Sequence, residues 1–498
     1  MTKTKTNSFI HQHPAAIVDG LKNYIILLLL PLLRSLTLFF DDFYTWLSGI
    51  WIDALTLTAI LLFGFLQWYF IVFQIKDGQL ERRSGLLVRR SQRIPIKNIS
   101  SLSSEFSWYF KPLRAVRVRF ETDAGSNGTP DITAIFWKKD ADCFQKTLAE
   151  FLHQAQSRET ESYTRRYEPR GWYIAVLSFI TSDSLTGAVF AATFISQSGK
   201  ILGQEAEDRL ITSLAHIMRL VAFWLPPIAA VIAGVFLGGW LIDFILTLVR
   251  HLGFLAVRQG EELRIRCGIV TRREYILSME KVNFLRLRQS FLTKLFGYYA
   301  GMVGCTGYGK GKNEQAVLLP SVNRKDLKRS LTLILPELQP TENKWHPPVR
   351  TLWRIIWPPL LVNAFVLYIW RTAYRWLPSI KELVIFLGIM ILIPSVWWLL
   401  VRICSFFHTG IGQKENTFTF RALSGYRFFT VVCRADKIDK ITVSRNIFQV
   451  KNHCGDLKIW FRSENRNSLL IANLSSEDIE QFLKEYASSG TNISIEED

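Results

Sequence analysis

A sequence echo constrains this chain most. Residues Gly85–Ile99 line up without a gap on Gly268–Val282. Each stretch begins with glycine, continues with an apolar pair, and reaches a double arginine four residues on, at Arg89-Arg90 and Arg272-Arg273. Both lie in Lys/Arg-rich stretches that follow a pair of hydrophobic segments, and a third such pair and stretch comes after them. Internal self-similarity of this kind marks one supersecondary unit used repeatedly. The unit reads as a membrane hairpin followed by a soluble domain.

Composition supports a membrane chain. Of 498 residues, 49% are hydrophobic and 16 are Trp. The formal net charge is +18. In a soluble protein such a balance would suggest nucleic acid. Beside membrane spans it is accounted for by cytoplasmic anchoring and attraction to anionic headgroups, so nucleic acid is not expected as a partner. The cysteines, at 143, 267, 305, 404, 433 and 454, form no CxxC pair, which indicates neither a zinc site nor a disulfide framework. The polar start Met1–Gly20 lacks the pattern of a cleaved signal peptide.

A span needs about 20 predominantly apolar residues. Six candidates pair into three hairpins: Tyr24–Phe40 with Ala54–Phe73, Trp172–Ile195 with Val221–Leu248, and Thr351–Trp370 with Leu383–Val401. This parity puts every large polar segment on one side. Asp41–Asp53 holds three Asp and no Lys or Arg, whereas Lys76–Arg170 is dense in basic residues, so the large segments and both termini are expected in the cytoplasm. Arg371, Arg375 and Lys381 in the third connection argue the other way, and the larger asymmetry is taken to win. In Ser196–Leu220, the spacing of Leu210, Leu214, Ile217 and Met218 suggests a helix on the outer surface.

Each soluble stretch reads as short strands closed by one helix. Ala115–Phe120 alternates apolar with basic residues, and Ile132–Trp137 is a second strand. Asp140 is placed as the cap of a helix through about Gln156, Asn323 precedes a helix through Leu327, Leu331 and Leu335, and Ser475/Ser476 precede one through Ile479, Phe482 and Leu483. The third unit is degenerate: Gly425 takes the turn position, but the double arginine is absent. Gly490–Asp498 reads as an acidic, disordered tail.

These residues resemble the bacterial membrane PH-like domain family of the YdbS/YdbT type, and the layout is similar to its longer, YdbT-like member. The pattern lies in Gly85-Leu-Leu, Arg89, Ile94-Pro-Ile and Ile99 of the first unit and Leu295-Phe-Gly297 of the second. The resemblance implies an α+β fold in which each domain is a seven-stranded bent barrel closed by a helix. It also implies a smaller one-domain companion as heteromeric partner and a link to resistance against peptide bacteriocins. The resulting division is hairpin 1 over 21–73, PH-like domain 1 over 74–160, hairpin 2 over 172–250, domain 2 over 251–340, hairpin 3 over 351–403, domain 3 over 404–488 and a tail over 489–498.

Candidate sites are few. Gly85 and Gly268 suit turns that need positive φ. Arg89, Arg90, Arg272 and Arg273 could contact anionic lipid, against the simpler reading of a solvated, membrane-proximal basic face. Arg34, Asp183, Asp243 and Arg354 lie in or beside spans, where ionisable groups are costly and hint at intramembrane polar contacts. Pro31, Pro226-Pro227, Pro358-Pro359 and Pro394 could break helices around a pathway, but such prolines more often only kink packed spans. Gly307–Lys312 lacks phosphate-loop spacing and reads as a basic hairpin tip. His11 and His13 are a weak metal signal, and no cofactor is expected. No nucleophile–base or paired-carboxylate arrangement stands out, so an enzyme is not expected. The sequence points to a membrane scaffold, with a transport or export component as the alternative.

Overall fold

The computed structural model describes residues 9–21, 43–85, 88–122, 132–144, 146, 164–181, 227–305, 316–378, 381–463, 467–488 and 495–497, with a few isolated positions between 205 and 216. The expected span Tyr24–Phe40, the helix suggested for Ser196–Leu220 and the loop Gly307–Lys312 lie outside the described residues, apart from scattered positions of the second.

The first repeat comprises β1 (Ile10–His11), β2 (Val72–Lys76), β3 (Gln79–Ser84), β4 (Arg90–Pro95), β5 (Ile99–Phe106), β6 (Ala115–Thr122) and β7 (Ile132–Trp137). The second comprises β8 (Thr164–Tyr167), β9 (Leu255–Gln259), β10 (Glu262–Cys267), β11 (Arg272–Ser278), β12 (Val282–Gln289), β13 (Tyr298–Cys305) and β14 (Ala316–Asn323). The third has β15 (Gly410–Lys414), β16 (Thr417–Ser424), β17 (Arg427–Arg434), β18 (Ile438–Ser444), β19 (Cys454–Phe461) and β20 (Asn467–Ser475). Its missing first strand is replaced by a bridge from Trp345 to Ile411. A short 3-10 turn links third to fourth full strand each time, at Ile96–Asn98, Met279–Lys281 and Ala435–Lys437.

This layout corrects the expected order of hairpin then domain. β1 pairs with β2 and β8 with β9, so the opening strand of each repeat precedes the hydrophobic segments and pairs with the strand that follows them. The hydrophobic stretch between the two paired strands is thus an insertion within the domain. The third repeat makes that closure tightly. A Cβ on Gly412 would lie 2.2 Å from the Glu342 carbonyl oxygen, and one on Gly410 2.5 Å from the Asn343 side chain. Arg421 reaches across to Asn343 and to the Thr341 carbonyl.

The strands form four open sheets rather than three closed barrels: β1-β2-β3-β4, β7-β6-β5-β11-β10-β9-β8, β14-β13-β12-β17-β16-β15 and β20-β19-β18-β21. Each core lies between two of them. In the first repeat, Phe73 and Leu80 pack against Val118, Phe120 and Phe136, with Phe144 from the closing helix. Alternation explains the faces: Val116, Val118 and Phe120 of β6 turn inward while Arg117 and Arg119 turn outward. The two middle sheets are shared between consecutive repeats. β5 pairs with β11 from Leu102↔Ile276 to Phe106↔Arg272, and β12 pairs with β17 from Phe284↔Cys433 to Gln289↔Phe428. The tail expected to be disordered supplies β21 (Ile495–Glu497), parallel to β18.

The closing helices follow the expected pattern. Arg324–Ile334 buries Leu327, Leu331 and Ile334, and Ser476–Ser488 buries Ile479, Phe482 and Tyr486. In the first repeat, helix already begins at residue 138, so Asp140 lies inside it rather than capping it. Arg258 of β9 grips Glu337 through two bonds of 2.9 and 2.7 Å, and the Ile334 carbonyl at 2.8 Å, fixing the chain just beyond the second closing helix.

Among the described residues, three helices are long and apolar enough to cross a membrane: Gly234–His251, Val349–Trp376 and Leu387–His408. The apolar Ala54–Tyr69 is shorter and belongs to the helix Phe43–Tyr69. Asp53 therefore sits in helix, and Phe73, expected at a span end, is a core residue of β2 lying 5.1 Å from the Phe136 ring. Likewise Arg371 and Arg375 lie in the helix Leu352–Trp376 and Lys381 opens Lys381–His408, so the expected basic loop is largely helical. These two helices pack as a pair, with Gly388 under the Trp370 ring and the buried Asn363 donating to the Pro359 and Ser395 carbonyls at 2.8 and 3.1 Å.

Candidate functional site

The connection after the fourth full strand of each repeat is a one-turn apolar tip. It opens on Ser107, Ser290 or Asn446. Ser290 and Thr293 form a reciprocal capping box, as do Asn446 and Gln449. One side chain of each turn is buried, namely Phe110, Thr293 or Gln449. The apolar remainder faces outward: Trp108, Tyr109 and Leu113, then Leu292, Leu295 and Phe296, then Ile447, Phe448 and Val450, with Ile447 85% exposed. Repeated exposed apolar groups beside Lys111, Lys294 and Lys451 mark an interaction surface, and aromatic–basic mixtures suit a membrane–water boundary.

Two of the tips touch apolar helices or the chain that leaves them. Phe291 meets Trp397 edge to face, with ring centroids 4.7 Å apart. Lys111 donates to the Ile269 carbonyl at 3.4 Å, and the Ile269 amide in turn approaches the Val249 carbonyl at 3.5 Å. Beyond the third tip, burial raises the Cys454 thiol pKa, while the nearby Arg354 charge opposes that shift.

The two arginine pairs, equivalent in sequence, have different surroundings. Arg89 and Arg90 are exposed, and neither has a hydrogen bond or ion pair among the described residues. β4, which carries Arg90, is a sheet edge. Arg272 and Arg273 are half-buried where the first two repeats join. Arg273 lies 4.0 Å from Glu105, and Arg272 stands over the Phe106 ring at 5.8 Å. Glu105, which the sequence reading missed, also meets Arg119 at 3.2 Å and Arg117 at 4.0 Å. Arg272 and Arg273 therefore lie at a junction between repeats.

A cavity of about 750 Å³ opens beside this junction. Lys111, Arg114, Lys138, Arg166, Arg266 and Arg272 outnumber Asp142, Glu168 and Glu274 on its wall, so it favours anions. The wall includes Gly253 and Phe254, with which the chain leaves the helix Pro227–His251. Gly268, also on the wall, holds φ +92°, and a Cβ there would meet the Thr271 carbonyl oxygen at 2.2 Å. Gly85 has φ +121°, and its Cβ would meet the Val88 carbonyl oxygen at 1.9 Å. Both turns thus require glycine.

Of the intramembrane candidates, Asp243 is half-buried in the helix Pro227–His251, and Arg354 lies in the first turn of Leu352–Trp376. Arg34 and Asp183 lie outside the described residues. His13 is a structural residue: its Nδ1 accepts from the Ala15 amide at 3.0 Å, which leaves Nε2 to donate to the Leu113 carbonyl at 3.1 Å. No cluster of potential metal ligands occurs among the described residues.

Residues 25–152 and 210–337 both match the bacterial PH domain family, and together they cover just over half of the chain. The chain belongs to the bacterial PH domain family. Each match begins after the opening strand of its repeat and takes in the six strands that follow, β2–β7 in the first and β9–β14 in the second. The third repeat lies beyond the matches. The chain is also 20% identical to the UPF0699 transmembrane protein YdbT of Bacillus subtilis (strain 168) over 321 residues, 61% of this chain and 64% of that protein. The bacterial PH domains here are thus part of a membrane protein whose surface carries apolar tips and a basic cavity.

Proposed function

We propose that the chain is a non-enzymatic membrane scaffold. Six spans in three hairpins anchor a cytoplasmic array of three PH-like units, with both termini on the same side. The observation that carries this reading is the sharing of sheets: strands of one repeat continue into the next, making a stiff array rather than three independent modules. The apolar tips would seat the array on the bilayer, and the basic cavity would attract anionic headgroups. The array works with a smaller PH-like polypeptide and protects the envelope against membrane-active peptides.

Purification from native membranes in mild detergent tests the scaffold. The reading expects a second PH-like polypeptide at fixed stoichiometry, and the chain recovered alone would refute it. Deleting the gene tests the protective role: sensitivity to cationic or circular peptides should rise. Unchanged sensitivity across a broad panel would remove that role.

A further inference from the structure

The array ends unequally. At the first junction β11 offers its edge to β5, and at the second β17 offers the equivalent edge to β12. β4 is the same strand of the first repeat, and its equivalent edge has no strand on it among the described residues. The other end is closed, because β21 covers the β18 edge.

We propose that the β4 edge is a docking site for a strand of another PH-like polypeptide, a strand of the β5 type. The proposal rests on the scaffold reading and names the surface through which a partner joins. The internal junction supplies the template. Where Arg273 faces Glu105 and Arg272 faces Phe106, the first repeat has Arg90, which opens β4, and Arg89 just before it. The incoming strand therefore carries a carboxylate opposite Arg90, followed by an aromatic opposite Arg89. Backbone bonds to an open edge give affinity, and the side chains set register. The template changes at one position: Arg93, beside Glu81 at 3.5 Å, stands where β11 has the core residue Ile276, so the incoming strand carries a polar residue where β5 has Leu102.

A second copy of this chain fits poorly. Its strand equivalent to β5, β18, would set Ser444 against Arg90 and Arg445 against Arg89, and its edge is already covered by β21. Like charges would then meet where the template has attraction.

The test uses the full chain in native membranes, with a photo-crosslinking phenylalanine derivative at the exposed Gln92 of β4 and, as control, at Gln79 of β3. Irradiation should attach Gln92, but not Gln79, to a peptide of a second polypeptide in which a carboxylate precedes an aromatic. Arg90→Glu should cut the yield at least tenfold, while Arg90→Lys keeps most of it. Attachment only to lipid, to residues 438–444 of another copy, or to nothing would overturn the proposal, as would a yield indifferent to Arg90→Glu. If the partner still co-purifies when Gln92 fails to crosslink, the docking edge is wrong and the scaffold reading stands. If no partner co-purifies, the scaffold reading falls as well.

Discussion

The two junctions between repeats use the same strands in the same register with opposite chemistry. At the first, β5 presents Ser100, Ser101, Ser103 and Ser104, all buried, and then Glu105, which gathers three arginines. At the second, β12 places Phe284 and Leu287 where β5 has Ser101 and Ser104. Its partner β17 replaces the double arginine with Phe428 and Phe429. Val432 of the third repeat enters the core of the second, and Phe284 of the second enters the core of the third. Arg286 lies between the Phe284 and Phe429 rings, and Lys294 sits 4.2 Å above Phe428. Both junctions bury one residue of the later repeat in the core of the earlier one, Ile276 at the first and Val432 at the second, and they differ in what surrounds it: serines and Glu105 with its arginines at the first, phenylalanines at the second.

The largest expected difference follows from burial. Phe428 is fully buried, so Phe428→Ala should weaken the second junction by about 3–5 kcal/mol. Arg273→Ala should cost the first about 1 kcal/mol or less, since Arg273 keeps partial access to water and Glu105 retains two other arginines. Hydrogen exchange of the β12 and β5 amides resolves the junctions separately, and equal effects would erase the distinction.

Salt gives a smaller contrast. Raising ionic strength to about 1 M shortens the screening length to about 3 Å, which should speed exchange in β5 and β11 and leave β12 and β17 unchanged. Matching responses would mean that charge does not hold the first junction.

The smallest effect concerns the outer sheet. Bonds from Arg83 and Ser91 lower the Glu81 carboxyl to about 2. A depressed acid stabilises the fold above its unfolded pKa of about 4.5 and loses that contribution as pH falls toward 2. Because Arg83 and Arg93 are largely solvated, the loss should be below about 1 kcal/mol. Exchange in β3 should rise on acidification through this window in the native chain and not in Glu81→Gln.

Much of the repeat was legible because glycine and hydrophobic spacing obey local rules. Gly85 and Gly268 mark turns that a Cβ would block, and the closing helices follow from their apolar spacing. The insertion of the hydrophobic stretch within each domain was not legible. β1 and β8 are only two and four residues long, and their pairing with β2 and β9 spans the whole hydrophobic stretch between them. The junctions were hidden for a related reason. Arg272 and Arg273 look like a solvated face until β5 supplies Glu105, more than 160 residues away in sequence. The apolar tips could have been found, since Leu292, Leu295 and Phe296 form an apolar cluster just after a strand.

A disulfide across the first junction tests the shared sheet most directly. Opposed positions in antiparallel strands alternate between close and wider spacing, so two neighbouring pairs should be tried. These are Glu105→Cys with Arg273→Cys and Ser104→Cys with Glu274→Cys, each in the full chain in membranes. Arg82→Cys with Gln92→Cys, opposed within one repeat, serves as control. Mild oxidation should link at least one junction pair as completely as the control, with peptide masses identifying the bond. Complete linkage of the control with none across either junction pair would mean that the repeats are separate domains and that no sheet runs between them.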